Sequence, residues 1–313
     1  LLNKKNGEII VPSFTWISSV NCILYNNLKP KVIDVCEKSY NSSLEQILEA
    51  VNEKTVAILI VNLFGRLVDV KKLKQKISKK IKIIEDSACA IGSKINKEFS
   101  GKYSDYTIFS FHPRKIITTG EGGIVVSNFK KNIDKIKILR DHGASSTDLS
   151  QHMKVRPSYQ MAGFDHLGYN YRMTDISASI GLGQMKKLDD IILKRRNAAK
   201  VYFKLLSNID WLQLPIAEEN TFHTYQSFVC LIKKGKKVSR NTLLNYLDKK
   251  GISSRPGTHA VHNLSYYKKR FGFTSSDFPR SSYCEKNSFT LPIHNKLNNK
   301  DYNYIAETLK NYK

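Results

Sequence analysis

Two short segments carry side chains whose types and spacing could do chemistry. The first, "IKIIEDSACAIGS" (81–93), runs apolar residues into Glu85 and Asp86 and then into small residues. A carboxylate at the carboxyl end of a buried strand lies where open α/β sheets place their ligands. The second, "FSFHPRKIITTGEGG" (109–123), sets Lys115 between a strand-like run and a glycine-rich return. Pro113 stiffens the backbone before the lysine, and His112 and Arg114 stand close to it. A lysine held near other cations or out of water can attack a carbonyl as the free amine. Each residue also has a plainer reading: Asp86 as a helix N-cap, Lys115 as one more loop lysine in a lysine-rich chain. Taken together, an acid at a strand end and a loop lysine are the pair that a pyridoxal phosphate (PLP) enzyme needs. The lysine holds the cofactor through an imine, and the acid pairs with the pyridinium nitrogen so that the ring draws electrons.

Both residues need an α/β frame to position them, and the first half of the chain reads as one. Strand-like runs at 7–14, 29–35, 55–65 and 81–86 alternate with amphipathic stretches at 43–51 and 68–80. Leu44, Ile47, Leu48 and Val51 have the spacing of one helix face. Alternation at these lengths predicts a largely parallel sheet. Two further strands, 105–112 and 122–128, flank the lysine segment, and one long helix is expected over 173–206, with "TD" able to cap its start. The pattern breaks near "SNIDWLQLP" (207–215). The expectation is a large α/β lobe over 1–206 and a smaller α+β lobe over 207–313, with a strand at 224–232, a helix from Ser239 to Gly251 and a closing helix.

Composition excludes several classes. The 313 residues are 41% hydrophobic, enough for a large core and two lobes. No apolar run approaches the length of a membrane span, and the first residues lack a signal-peptide pattern. The five cysteines are scattered with no C-x-x-C, which argues against a zinc site or disulfide framework and fits a reducing cytoplasm. The net charge of +24 invites a nucleic-acid reading, yet the lysines are spread along the whole chain without any base-reading motif. An acidic partner or substrate is easy to reconcile with the charge.

Five blocks appear in order: "VPSFTWISSVNCILYNNLKPKVIDV", "IIEDSACAIGS", "FSFHPRKIITTGEGGIVVSN", "LGYNYRMTDISASIGLGQMKKLDDIILKRR" and "RPGTHAVHNLSYYKKRFG". Together they resemble the DegT/DnrJ/EryC1/StrS family of PLP-dependent aminotransferases acting on nucleotide-linked sugars, over nearly the whole chain. The resemblance implies a fold-type I α/β transferase. Lys115 matches the Schiff-base lysine that also shuttles the proton, and Asp86 matches the pyridinium partner. Trp16 matches an aromatic stacked on one cofactor face, with Ala88 on the other. Ser110 matches a hydroxyl donor to the cofactor phosphate. Cys89 stands near the cofactor's 3-hydroxyl, where many relatives carry Gln or His. Asn170 matches an asparagine that reaches the phosphate in the neighbouring subunit, which implies a homodimer with shared sites. His223, Arg255 and His259 are candidate substrate contacts.

By the same resemblance, an amino donor, glutamate, supplies nitrogen for a keto group on a nucleotide-linked sugar, giving an amino sugar for polysaccharide, glycan or antibiotic assembly. Relatives that exchange the lysine for histidine remove a hydroxyl instead, so Lys115 favours transamination. Relatives also have an upstream segment that helps bind the cofactor phosphate; the chain begins at Leu1, so a fragment of a longer protein is expected. The rival expectation is a non-catalytic or regulatory homologue that kept the fold.

Overall fold

In the computed structural model, residues 6–144, 163–216 and 218–312 are described. The chain forms strands β1 (Glu8–Pro12), β2 (Phe14–Thr15), β3 (Lys29–Ile33), β4 (Thr55–Val61) and β5 (Lys82–Asp86), then β6 (Lys94–Ile95), β7 (Glu98–Phe99), β8 (Tyr106–Ser110) and β9 (Gly123–Val126). Six of these build one sheet in the order β3-β1-β4-β5-β8-β9. All neighbours run parallel except β9, which returns antiparallel to β8. The fold is α/β with a mostly parallel sheet, as the alternation of strand-like and amphipathic runs predicts. β4 is buried at all seven positions, the signature of a central parallel strand covered on both faces.

Helices cover the faces. Leu44–Ala50 starts at Ser43 through a capping box with Gln46 and buries Ile47 and Ala50 against the sheet. Val70–Lys76 starts at Asp69, whose carboxylate accepts from Lys72 N, and it buries Val70 and Leu73 in the same layer. The expected single helix over 173–206 is two helices, Asp175–Met185 and Leu188–Leu206, broken at Lys186–Lys187. Thr174 caps the first, accepting from Ser177 N at 3.2 Å. A further helix, Lys130–Arg140, occupies a stretch that reads from sequence only as a basic run; it buries no side chain fully, and its apolar residues Ile133, Ile136 and Leu139 are half-buried.

The C-terminal part builds a four-stranded sheet from β10 (Leu212–Gln213), β12 (Phe228–Ile232), β13 (Arg255–Pro256) and β15 (Ser288–Leu291), in the order β10-β12-β15-β13. All its pairings are antiparallel. β11 (Thr221–Phe222) joins β6 and β7, and β14 (His259–Ala260) pairs with β2. The helix at Arg240–Lys249 stops before Gly251, which turns the chain at a φ of +71°.

Two apolar cores fix how these parts meet. One holds Tyr202 and Leu206 with Trp211, Phe228, Phe289 and Ile305. The other joins Val11 and Val61 of the large sheet, with Phe14 of β2, to Val229, Val261 and Cys284 from the C-terminal part. The helix Leu188–Leu206 contributes to both ends of the molecule: Ile192 packs with Phe111 and Ile117, whereas Ala198 to Leu206 pack with the C-terminal sheet. Packing is therefore continuous across position 206.

Candidate active site

A cleft of about 1600 Å3 opens at the carboxyl ends of the parallel strands, where the C-terminal part leans over the large sheet. Trp16, Asp86, Ala88, Cys89, Ser110 and Lys115 all line it. These residues are spread over a hundred positions of sequence. Parallel strands bring them together because each strand ends, and each following loop begins, on the same edge of the sheet.

Asp86 is the last residue of β5, paired with Val61 on one side and Ile108 on the other. The period of two along a strand separates it from Glu85. Glu85 is buried on the opposite face, where its carboxylate accepts from Asn62 Nδ2 at 2.9 Å, Ser100 Oγ at 3.0 Å and Gly101 N at 2.9 Å. It is a satisfied structural carboxylate. Asp86 faces the cleft, with Oδ2 accepting from Ser19 Oγ at 2.7 Å and Oδ1 from Ala88 N at 3.2 Å. A carboxylate has about four acceptor positions, so two such bonds leave capacity for a donor in the cleft. Burial first, and the Asp86 charge second, push the nearby Cys22 thiol up to about 11.

Lys115 sits in the loop between β8 and β9, and that loop is pinned from beneath. Ile116 and Ile117 bury themselves against Phe111 and Ile192. The backbone closes through Phe111 N to Gly122 O at 2.9 Å, Thr119 N to Phe111 O at 3.0 Å and Lys115 N to His112 O at 2.9 Å. Gly122 has φ +153°, and a Cβ there would stand 2.5 Å from Thr119 Oγ1 and 2.7 Å from Met173 Cε. Glycine is what lets the return into β9 pass so close. From this base Lys115 Nζ reaches Cys89 Sγ at 3.2 Å, across the cleft floor from the β5 side.

Trp16 is 54% exposed, with its ring against His259 at 5.5 Å between centroids. This open indole gives the cleft, which Ala88 also lines, one aromatic wall. Ser110 ends β8, and its Oγ accepts from His112 N at 3.4 Å, which leaves its own proton free to donate. A lysine amine, a carboxylate facing the cleft, a flat apolar wall and a hydroxyl donor are the groups that a flat, phosphorylated pyridine aldehyde requires. The residues present fit PLP.

Asn170 is not among the residues lining this cleft, although Tyr169 and Tyr171 are. The two tyrosines stack at 4.8 Å, and the segment is held by Tyr169 N to Leu139 O at 2.7 Å and Tyr171 N to Arg140 O at 2.8 Å. Asn170 is exposed between them. Arg255 and His259 line the cleft, but His223 does not. His223 is buried, stacks on Tyr225 at 4.1 Å and accepts from Tyr225 N through Nδ1. Burial first, then Arg66 and Arg196, hold its pKa down to about 3, so it stays neutral and serves the packing. Among the candidate substrate contacts, His223 is thus corrected to a core residue.

Sequence reasoning missed Ser19 and Gln226. Ser19 stands in the first turn of the helix Ser18–Tyr25, and nothing in the pattern of "TWISSVNC" reveals that it meets Asp86. Gln226 donates from Nε2 to Arg114 O at 2.8 Å, tying the C-terminal part to the lysine loop. Among the described residues no His/Cys/Asp/Glu group could hold a metal ion, and no helix is long and apolar enough to cross a membrane.

Comparison with known proteins gives this geometry a family. The model of the DegT/DnrJ/EryC1/StrS aminotransferase family matches residues 2–310. Protein MJ1066 of Methanocaldococcus jannaschii is 31% identical over 98% of this chain and 80% of its own length. A GDP-perosamine synthase of Escherichia coli O157:H7 is 32% identical over 98% of this chain and 79% of its own. Spr1654 of Streptococcus pneumoniae, described as a sugar aminotransferase and solved in its PMP form, superposes with a TM-score of 0.90 at 26% identity, over 99% of this chain and 82% of that one. The E. coli GDP-4-keto-6-deoxy-D-mannose-3-dehydratase with bound hydrated PLP superposes at 0.87 with 26% identity, over 98% and 81%. With the family model matched from end to end and a fold shared with PLP-bound structures, this chain belongs to the DegT/DnrJ/EryC1/StrS aminotransferase family and is a PLP-dependent enzyme.

Proposed function

We propose that the enzyme moves an amino group from glutamate to a keto group on a nucleotide-linked sugar, in amino-sugar synthesis for surface polysaccharide, glycan or antibiotic. The observation that carries this reading is the meeting of Lys115 and Asp86 in one cleft with the exposed Trp16 indole. PLP, when bound, supplies an electron-withdrawing ring that makes the proton on the amine-bearing carbon labile. In this reading Lys115 would hold the cofactor aldehyde, and its Nζ would carry that proton. Asp86 would face the ring nitrogen with a carboxylate and so keep it protonated. Trp16 and Ala88 would cover the two faces, Ser110 would donate to the phosphate and the Cys89 thiol would stand beside the ring hydroxyl.

The rest of the cleft suits an anion. Arg114, Arg240, Arg255 and Lys286 line it. Neither the Arg114 nor the Arg255 guanidinium has a hydrogen-bond or ion-pair partner among the described residues. Burial first, and then Arg114, hold the Arg255 pKa below its ordinary value. Two neighbouring guanidinium groups left unneutralised raise the local potential and attract a diphosphate or a dicarboxylate. The GDP-perosamine synthases among the relatives support a nucleotide sugar as acceptor.

A homodimer completes the proposal. The helix Asp175–Met185 buries none of its side chains, and it leaves Ile176 78% and Leu182 69% exposed. Asn170 is exposed in the segment just before it, which supports a contact with a second copy. All five cysteines are free, which supports a reducing cytoplasm as the setting.

The test is spectroscopic. Purified protein mixed with PLP is expected to turn yellow, and borohydride is expected to fix the cofactor mass on the peptide carrying Lys115. Glutamate should then bleach the band as the amine form accumulates, and a GDP-linked keto sugar should restore it. Absence of fixed mass at Lys115 in a protein that binds PLP would sink the assignment of the lysine.

A further inference from the structure

We infer that Ser19 is a positioning residue for the cofactor, aiming the Asp86 carboxylate at the ring nitrogen through the hydrogen bond Ser19 Oγ to Asp86 Oδ2. It rests on the reading of Asp86 as the ring-nitrogen partner. Ser19 is fully enclosed in the first turn of the helix Ser18–Tyr25, with its hydroxyl 2.7 Å from Oδ2. An ionised carboxylate only accepts, so the single proton of Ser19 goes to Asp86. The contact between Ser19 Oγ and Thr15 Oγ1 at 3.2 Å is therefore one in which Thr15 donates.

A chain of hydroxyls thus runs Thr15 to Ser19 to Asp86, and such chains strengthen each member. Thr15 is itself held in β2, which pairs with β14 from the C-terminal part in the register His259 to Thr15. Val261 N donates to Ser13 O at 2.7 Å and locks the same seam. On the other oxygen, Ala88 N holds Oδ1 at 3.2 Å. With one donor on each oxygen, the carboxylate plane cannot rotate freely, and its remaining acceptor positions face the cleft. The strand end places Asp86, but χ1 and χ2 of a short side chain remain free without such partners. Ser19 removes that freedom before any ligand arrives, which is the use of a preorganised shell around a binding group.

The experiment measures binding rather than turnover. Pyridoxamine phosphate carries the ring nitrogen but has no aldehyde, so Lys115 cannot anchor it covalently; its 1-deaza counterpart has a CH in place of that nitrogen. Affinities of both for the cofactor-free protein are read by titration calorimetry in wild type, Ser19→Ala and Ser19→Thr. Wild type is expected to prefer the nitrogen form strongly. Ser19→Ala should reduce that preference about tenfold, as expected for one lost hydrogen bond to a charged group. Ser19→Thr, which keeps the hydroxyl, should recover it. A role limited to packing would weaken both ligands equally and leave the ratio unchanged, and that result overturns the inference while leaving Asp86 as the partner. Equal binding of the two ligands by wild type would instead remove the ring-nitrogen role of Asp86, and the inference with it.

Discussion

At the residue scale, the site divides its labour by strand period and loop anchoring. Adjacent carboxylates Glu85 and Asp86 do different things because one faces a buried network and the other the cleft. Exchanging Asp86 for Asn should leave the fold intact and abolish the pull on the ring, with PLP binding weakened about tenfold or more by equilibrium dialysis. Lys115→Ala is expected to bind PLP without a covalent product and to lose amine transfer by several orders of magnitude, read by mass spectrometry and a single-turnover assay. Arg255→Ala should raise KM for the anionic substrate roughly tenfold with a smaller change in kcat, because the cation acts on a charge present in both ground and transition states. A kcat loss as large as the KM change would place Arg255 in the chemistry rather than in binding.

At the scale of elements, the lysine loop depends on what lies under it. Ile117 is fully buried against Phe111 and Ile192, so Ile117→Ala should cost about 2–4 kcal/mol in urea unfolding. It should also loosen PLP binding, since Nζ is placed from that base. The legibility of elements follows the same logic. β4 and β5 could be read from their apolar runs, and the helix Leu44–Ala50 from its apolar face and cap. The break at Lys186–Lys187 could not, because no proline or glycine stands at it, and the nearest glycines, Gly181 and Gly183, lie inside the first helix. Lys130–Arg140 was masked because its charges dominate the stretch, although Ile133, Ile136 and Leu139 recur at helical spacing and are half-buried. Lys115 and Asp86 were legible because their local settings, a glycine-rich return and a strand end, are written in contiguous residues.

At the scale of the whole molecule, two properties follow from parts that no single segment contains. The first is pH dependence. His223 is buried neutral with a pKa of about 3, against 6.5 in its ordinary state. The unfolded chain binds this proton below about pH 6.5 and the folded chain does not until near pH 3. The stability it contributes is present above 6.5 and is lost as pH falls toward 3. Urea unfolding at pH 7 and pH 4.5 should show a loss that His223→Gln reduces. The second is assembly. If the face around Ile176 and Leu182 meets a second copy, sedimentation should give a dimer, and Leu182→Arg should yield monomer with weakened PLP binding. A wild-type monomer at high concentration would rule the shared site out.

By itself the sequence determined the α/β frame, the strand end that carries Asp86 and the turn that carries Lys115. Those features depend on residues near one another in the chain, where hydrophobic period and glycine or proline constraints act. The tertiary structure alone decided that Ser19 meets Asp86, that Cys89 meets Lys115 and that Arg114 and Arg255 share one cleft. It also decided that His223 belongs to the core. These are contacts between distant segments, set by which strands neighbour each other and by how the C-terminal sheet packs over the first. Side-chain type and local spacing carry no record of that packing.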